Sequence, residues 1–266
     1  MAVELDEKNG YVSTLPAESP VLMVLLGASN LSRGCFALAR HVKVCLYPRK
    51  VEVLVASGPG RGYCVSGGLL NVSYPSIQSS DIFNVAQRKR KSGYRVVALV
   101  TDIGNDIMYG ESAEQVIETV QQIFGKLESM DAEIFYTTLP IAFEKGMNPI
   151  WFYILRSVLL PFSRVSRDKA VAEIIKVNQF LRQSSSKHCH LILDMDRYLG
   201  FDEIHYGWLR AHTAWYHVAK IILEKLGVNM IREIPLSAMM KSYWEEFRQV
   251  VGSDMMGFKK KNPNHY

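Results

Sequence analysis

A serine follows the first strongly apolar run of the sequence, at a position where its hydroxyl could act as a nucleophile. Residues 21–26 are all apolar, Gly27-Ala28-Ser29-Asn30 comes next, and helical spacing begins at Leu31. A serine at a sharp strand-to-helix turn holds its hydroxyl at the rim of a sheet, beside the unpaired N–H groups of the helix N-terminus. Ser29 is therefore a candidate nucleophile; the alternative is that Ser29 or Asn30 only caps the helix.

An aspartate and a histidine much later in the chain could supply the base that such a serine needs. A serine hydroxyl is a weak nucleophile until a neighbouring base takes its proton. The loop after the last apolar run contains Asp202-Glu203-Ile204-His205. A carboxylate three residues before a histidine can accept a hydrogen bond from one ring nitrogen and leave the other free. Asp202 and His205 are candidates for these roles, and a surface pair without a function is the alternative.

Glycines and an asparagine after two other apolar runs could stabilise a developing negative charge. Ser57-Gly58-Pro59-Gly60-Arg61-Gly62 follows the second run, and Gly104-Asn105-Asp106 lies just after the third. Main-chain N–H groups in a glycine turn can approach an oxyanion closely. The Asn105 amide can donate without titrating, as acyl transfer requires. A plain tight turn and an Asx turn are the alternatives. The glycine spacing fits neither a dinucleotide fingerprint nor a Walker motif.

The elements that must position these groups read as alternating strands and helices. Apolar runs of four to eight residues without alternation are typical of strands buried on both faces. Such runs occupy residues 21–26, 51–56, 95–101, 132–138 and 190–193, and helical spacing occupies residues 31–46, 112–127, 169–181 and 208–226. This order predicts an α/β fold with a five-stranded parallel sheet covered on both faces. Because ligands bind beyond the carboxyl ends of parallel strands, all four candidate groups should meet at one rim.

Length and composition favour one large globular domain. A chain of 266 residues can form a single α/β unit, and 48% hydrophobic with 21% charged residues is typical of a soluble fold. We expect an N-terminal arm at residues 1–20, the domain at 21–227, and a C-terminal extension at 228–266. The extension should hold an amphipathic helix around residues 237–251 and a polar tail.

Charge argues against a nucleic-acid partner. The net charge of +5 comes from 31 basic and 26 acidic side chains, and the basic runs at residues 88–91 and 259–261 contain no interleaved aromatics. We read these runs as a solvated helix end and a solvated tail. Asp102 and Asp106 could ligate a cation, but the other strand ends lack the carboxylates to complete a site. We therefore expect no metal and no cofactor.

The sequence gives no sign of export or of a membrane span. The four cysteines, at positions 35, 45, 64 and 189, show no C-x-x-C spacing and are expected to be reduced. Residues 1–10 do not have the basic and then apolar order of a signal peptide, so a cytoplasmic location is expected. The most apolar stretch, residues 150–162, is interrupted by Arg156 and Pro161 and is too short to cross a bilayer.

Taken in order, the four blocks resemble the SGNH (GDSL-type) hydrolases, which are named for serine, glycine, asparagine and histidine in separate blocks. The resemblance extends over roughly residues 21–226, and its most specific parts are Gly104-Asn105-Asp106 and Asp202-Glu203-Ile204-His205. It implies a flavodoxin-like three-layer α/β/α sandwich and a nucleophilic Ser29 that attacks an acyl carbonyl.

The resemblance also assigns the other groups. It implies that His205 takes the serine proton, that Asp202 orients His205, and that the oxyanion is held by the N–H groups of Ser29 and Gly60 and the side chain of Asn105. Gly58 is the alternative to Gly60. The sequence departs from the family pattern twice: Ala28 stands where an aspartate that helps hold the serine loop is usual, and Asp102-Ile103 replaces more ordinary residues before Gly104.

These features predict a serine esterase that cleaves a small-molecule carboxylic ester through an acyl-serine. An acyltransferase with the same groups, or a binding module that has lost activity, are the alternatives; the oligomeric state is not indicated. Arg33 and Arg61 flank the nucleophile and the glycine turn, which suggests an anionic substrate. Residues 143–162 either form a lid over an acyl pocket or complete the core.

Overall fold

The computed structural model describes residues 19–69, 72–145, 148–160, 163–228, 231–257 and 264–266, without the side chains of residues 155, 158 and 159. Most of the predicted N-terminal arm, residues 1–18, lies outside this part of the chain. So do the basic run at residues 259–261 and the end of the apolar stretch at residues 161 and 162.

Within the described residues, five parallel strands form the central sheet, and the predicted α/β fold class is confirmed. The strands are β1 (Val21–Leu26), β2 (Val51–Ala56), β3 (Arg95–Val100), β4 (Glu133–Thr137) and β5 (Cys189–Ile192). Their order is β2-β1-β3-β4-β5, with every neighbouring pair parallel. This is the flavodoxin-like order, in which the chain reverses direction across the sheet at β1 and β3 and leaves a crevice beyond their carboxyl ends.

Helices cover both faces of the sheet. They are α1 (Ser29–Cys45), α2 (Ile82–Lys91), α3 (Asn105–Tyr109), α4 (Ala113–Glu128), α5 (Ile141–Glu144), α6 (Pro149–Leu159), α7 (Arg167–Gln183), α8 (Ala211–Lys225) and α9 (Leu236–Phe247). One core joins α2, α4 and α7 to one face, and a second core joins α1, α8 and α9 to the other. All six residues of β1 are buried between these layers, which explains why its sequence does not alternate.

The C-terminal extension packs onto the sandwich rather than standing apart from it. Helix α9 lies against α1, where the Ser242 hydroxyl donates to the main-chain oxygen of Arg33 at 2.6 Å. At the edge of the sheet, the N–H of Val55 donates to the oxygen of Asn264 at 2.9 Å, and the N–H of Tyr266 donates to the oxygen of Val55 at 2.8 Å. Residues 264–266 therefore run parallel to β2 and cover part of its open edge.

Two further expectations concern thiols and membrane spans. The four cysteines are free, and burial raises the pKa of the Cys35 thiol to about 12. Among the described residues, no helix has both the length and the apolar character needed to cross a membrane.

Candidate active site

The structure brings Ser29, His205 and Asp202 into one continuous chain of hydrogen bonds. Ser29 is the first residue of α1, and its Oγ lies 2.9 Å from Nε2 of His205. On the other side of the ring, Nδ1 of His205 lies 2.7 Å from Oδ2 of Asp202. In the tautomer with its single hydrogen on Nδ1, the ring donates to the Asp202 carboxylate, and Nε2 can accept the serine proton.

The loop that carries His205 is held by the same carboxylate that orients the ring. Oδ1 of Asp202 accepts hydrogen bonds from the main-chain N–H groups of Ile204 and His205, at 3.1 and 2.9 Å. Partial burial raises the pKa of Asp202, but the hydrogen bonds from the His205 ring and from both N–H groups outweigh that effect and bring the pKa to about 2. Asp202 is therefore charged throughout the neutral range.

The carboxylate that is missing at position 28 is supplied from another strand end. Oδ2 of Asp102, just after β3, accepts from the N–H groups of Ala28 and Leu31 at 2.9 and 3.1 Å. Asp102 has a φ of +59°, a left-handed conformation that aspartate tolerates better than most residues. The N-terminal turn of α1 has no side-chain cap of its own, so Ser29 and Asn30 are not capping residues. Asp102 thus holds the serine turn through main-chain contacts with Ala28 and Leu31.

Asn30 fastens the serine turn to the histidine loop, a role that the sequence did not reveal. Its Nδ2 donates to Oδ1 of Asp102 and to the main-chain oxygen of Ile204, both at 3.1 Å. Its Oδ1 accepts from the N–H of Tyr206 at 2.9 Å. Since Asn30 and Tyr206 are neighbours of Ser29 and His205, these bonds fix the distance between the two reacting side chains.

Without the Asp102 carboxylate, the turn that carries Ser29 should be held less firmly, and we therefore expect hydrolysis of an ester substrate to be slower. We expect Asp102→Ala to lower kcat for an ester substrate by about 10- to 100-fold, because small displacements of a nucleophile are costly. Adding Ala28→Asp to this variant should restore part of the rate, since it returns a carboxylate to the position usual in the family. Steady-state kinetics on both variants measures this effect.

A matched control separates the loss of the Asp102 contacts from the strain of placing an alanine at a positive φ. Asp131 also has a positive φ, of +56°, but lies in the turn before β4. Asp131→Ala should leave kcat unchanged. If the double variant Ala28→Asp, Asp102→Ala is no faster than Asp102→Ala alone, then a carboxylate at position 28 does not replace the one at position 102, and the prediction is wrong.

The glycine turn is held in place by side chains of α3. Gly60 has a φ of +74°, and a Cβ there would lie 2.5 Å from the main-chain oxygen of Gly68, so only glycine fits without strain. The Tyr109 hydroxyl donates to the oxygen of Gly60 at 2.6 Å. The carboxylate of Asp106 accepts from three successive N–H groups, at 2.7 to 3.0 Å, those of Tyr63, Cys64 and Val65.

Asn105 is the first residue of α3 and connects the second and third blocks. Its Nδ2 donates to the main-chain oxygen of Arg61 at 2.9 Å, which uses one of its two amide hydrogens; the other has no partner among the described residues. In the described part of the chain, no hydrogen bond is made by the N–H of Ser29 or of Gly60. The N–H groups of Ser29 and Gly60 and the side-chain amide of Asn105 are the donors expected for an oxyanion. Among the described residues, none of the three is part of an Asx turn.

The two aspartates near the site have main-chain partners. Asp102 and Asp106 accept the N–H hydrogen bonds described above. Among the described residues, no group of three or more histidine, cysteine, aspartate or glutamate side chains could hold a metal ion.

Ser29, Gly60, Asn105 and His205 line one cavity, which has a volume of about 180 Å³. Arg33 also lines it, one helical turn after Ser29. Residues 143–162 contribute to its wall through α5 and α6, while four side chains of α6 remain well exposed: Ile150, Trp151, Tyr153 and Ile154. The described residues of this segment therefore line the cavity and also belong to the core, where Phe152 is only 3% exposed.

The expected substrate-binding role of Arg61 is wrong for its side chain. The guanidinium is fully buried away from the cavity, where Nε donates to the oxygen of Pro75 at 3.0 Å and NH1 donates to the oxygen of Tyr266. Burial lowers its pKa to about 10. The sequence could not show this, because the segment around Tyr266 that receives the guanidinium is distant in the chain.

Glu246 of α9 lies beside the first turns of α1 and makes folding depend on pH. Burial raises the pKa of this carboxyl to about 7, although the charge of Arg33 and a hydrogen bond with Ser32 act in the opposite direction. A raised carboxyl pKa means that the folded state holds its proton more tightly than the unfolded state. The stability that this proton gives is present below about pH 4.5 and is lost as the pH rises through 7.

Glu246→Gln should remove that dependence. We expect the variant to gain free energy of unfolding relative to the wild type when the pH rises from 5 to 8, as measured by urea unfolding at each pH. Glu245→Gln is a matched control, because Glu245 is 44% exposed and pairs only with Arg248 on the surface. Equal pH profiles for the wild type and Glu246→Gln would contradict the assignment.

Similarity to known proteins is limited to distant solved structures. No protein-family model matches the sequence, and a search of curated proteins gives no match. A carbohydrate esterase of family 3 from Talaromyces cellulolyticus is 10% identical, with a TM-score of 0.49, and the match covers 79% of this chain and 100% of that one. TesA is 12% identical, with a TM-score of 0.48 and coverages of 77% and 99%. A lipolytic protein of the G-D-S-L family from Veillonella parvula is 12% identical, with a TM-score of 0.45 and coverages of 76% and 99%. Likeness at these identities concerns the fold alone, so the chemistry has to be judged from the side chains of this chain.

Proposed function

We propose that the protein is a serine hydrolase that cleaves carboxylic esters through an acyl-serine. The observation that carries this proposal is the continuous hydrogen-bonded chain from Ser29 through His205 to Asp202, with distances of 2.9 and 2.7 Å. A serine in hydrogen-bond contact with a histidine that is itself oriented by a charged carboxylate is the arrangement that activates a hydroxyl for acyl transfer.

The reaction follows from these contacts. Ser29 Oγ attacks the carbonyl carbon while Nε2 of His205 takes its proton, and Asp202 stabilises the imidazolium that forms. The carbonyl oxygen becomes an oxyanion, which accepts from the N–H groups of Ser29 and Gly60 and from Asn105 Nδ2. When the intermediate collapses, the alcohol leaves with the proton from Nε2. Water, deprotonated by His205, then attacks the acyl-serine and releases the acid.

The contacts of Asp102 weaken the alternative that the protein is a binding module without activity. Two features motivate that alternative, Ala28 in place of the usual aspartate and the long segment after the sheet. Asp102 bears on the first, because it makes the contacts with Ala28 and Leu31 that hold the serine turn. An intact turn supports a working nucleophile.

Arg33 supplies the charge on the leaving-group side of the site. His205 must protonate the departing alcohol, so the alcohol lies next to the imidazole and over the end of α1. Arg33 lines the cavity from that same helix, and its charge also acts on Glu246 and Tyr243 of α9. We therefore assign it to an anionic group in the alcohol part of the substrate.

A fluorophosphonate probe tests the proposal on the intact protein. The phosphorus of such a probe is attacked by an activated serine and stays bonded to it. We expect stoichiometric labelling of the wild type, no labelling of Ser29→Ala, and full labelling of Ser237→Ala, a control at an exposed serine of α9. A wild-type protein that never reacts, or a Ser29→Ala variant that still does, would overturn the proposal.

A further inference from the structure

The cavity has two chemically different sides, and the proposed mechanism assigns the alcohol to one and the acyl chain to the other. Its wall on one side is α1, which carries Ser29 and Arg33 and packs on the sheet face shared with α8. On the other side it is lined by residues of the opposite core, among them Leu139, Phe152 and Ile174. Because the alcohol must lie beside His205, the acyl chain points away from the imidazole and toward this second side.

The acyl side is lined largely by apolar side chains. Met108 of α3, Phe143 of α5, Phe152 of α6 and Ile174 of α7 line it, and Ile174 and Phe152 are each 3% exposed. Side chains from four separate helices thus surround a short apolar channel. Such a channel favours the burial of hydrocarbon.

Two charged residues of the cavity lining, Arg156 and Asp196, also lie near this side, and both have main-chain partners. Oδ1 of Asp196 accepts from the N–H of Ile141 in α5 at 2.7 Å. NH1 of Arg156 donates to the main-chain oxygen of Val165 at 2.9 Å. The guanidinium carbon lies 4.9 Å from the centre of the Tyr153 ring, and Tyr153 is 44% exposed. The side chain of Arg156 therefore presents its methylene groups to the cavity and its head group to Tyr153 and the main chain.

The volume of the cavity limits the length of the chain. An apolar cavity of about 150 Å³ accommodates benzene, which has six carbons. The present cavity measures about 180 Å³ and includes the space above Ser29. It therefore has room for an acyl chain of about six to eight carbons.

We propose that the protein selects esters of hydrocarbon acyl chains of about six to eight carbons, which occupy the channel between α3, α5, α6 and α7. This selectivity rests on the proposed function, because it concerns the acyl part of the same substrate. Each methylene that becomes buried contributes a roughly three- to fourfold increase in kcat/KM. From acetyl to hexanoyl, four methylenes give an increase on the order of 100-fold.

The test is the dependence of kcat/KM on acyl length with p-nitrophenyl esters of two to twelve carbons. We expect a rise to a maximum at about six to eight carbons and a decrease beyond it, because the cavity has a volume of only about 180 Å³. Ile174→Ala should move the maximum to longer chains, and Met108→Trp should move it to shorter ones. Met108 is partly exposed, so this second variant tests the channel even if Ile174→Ala folds poorly.

Ile175→Ala is the matched control, because Ile175 neighbours Ile174 on α7 but is 44% exposed and faces outward. Its profile should equal that of the wild type. A profile that is highest for acetate, or a maximum that neither Ile174→Ala nor Met108→Trp moves, would overturn the acyl-length selectivity while leaving ester hydrolysis intact. Failure to hydrolyse any ester, together with no fluorophosphonate labelling, would instead overturn the proposed function.

Discussion

Ser29→Ala is expected to lower kcat for a hexanoyl ester by on the order of 10⁵- to 10⁶-fold, because loss of the nucleophile removes the acyl-serine route altogether. The hydroxyl of Ser29 has one hydrogen-bond partner among the described side chains, Nε2 of His205, and the Ser29 side chain contributes little to the core. The variant should therefore fold normally, and its melting temperature should stay within a few degrees of that of the wild type.

The measurement is steady-state turnover of a chromogenic ester, with Ser237→Ala as the control. Ser237→Ala should retain the full rate. A Ser29→Ala variant that keeps more than a small fraction of wild-type turnover, after contaminating esterases have been excluded, would remove Ser29 from the mechanism.

The second large effect is expected at Asp202. Asp202→Asn should lower kcat by on the order of 10⁴-fold. Asp202 is charged in the neutral range, because its hydrogen bonds with His205 bring its pKa to about 2. An asparagine has no charge to stabilise the imidazolium, and its amide can donate to Nδ1, which would place the ring proton on Nε2 and block acceptance from Ser29.

Glu203→Gln provides the matched control for this substitution. Glu203 is the neighbouring carboxylate in the same loop and is exposed. Its change to glutamine alters the net charge equally, and we expect it to affect kcat by less than about twofold, since an isolated exposed charge contributes little. Similar losses in the two variants would indicate a general effect of loop charge rather than orientation of His205.

The strands and the long helices could be predicted because their sequences carry their own signal. Residues 21–26 form a run without alternation and become β1, buried on both faces. Helices α4 and α7 have a helical repeat and serine caps, Ser112 and Ser166. Helix α3 has five residues, too few for a repeat to be visible, and it was not predicted.

The contacts that complete the site could not be predicted in the same way. Asp102 reaches Ala28 because β1 and β3 are adjacent and in register, although the two residues are 74 positions apart in the chain. The sequence showed both departures from the SGNH pattern, but the contact between Asp102 and Ala28 becomes visible only with the strand order. The same holds for Arg61, whose burial depends on residues 264–266 lying along β2.

A crystal structure of the protein after reaction with a hexyl phosphonate ester tests the central claim most directly. We expect phosphorus bonded to Ser29 Oγ, one phosphonyl oxygen within hydrogen-bond distance of the N–H groups of Ser29 and Gly60 and of Asn105 Nδ2, and the hexyl chain between Met108 and Ile174. Phosphorus on a different residue, or a phosphonyl oxygen directed away from all three donors, would contradict it.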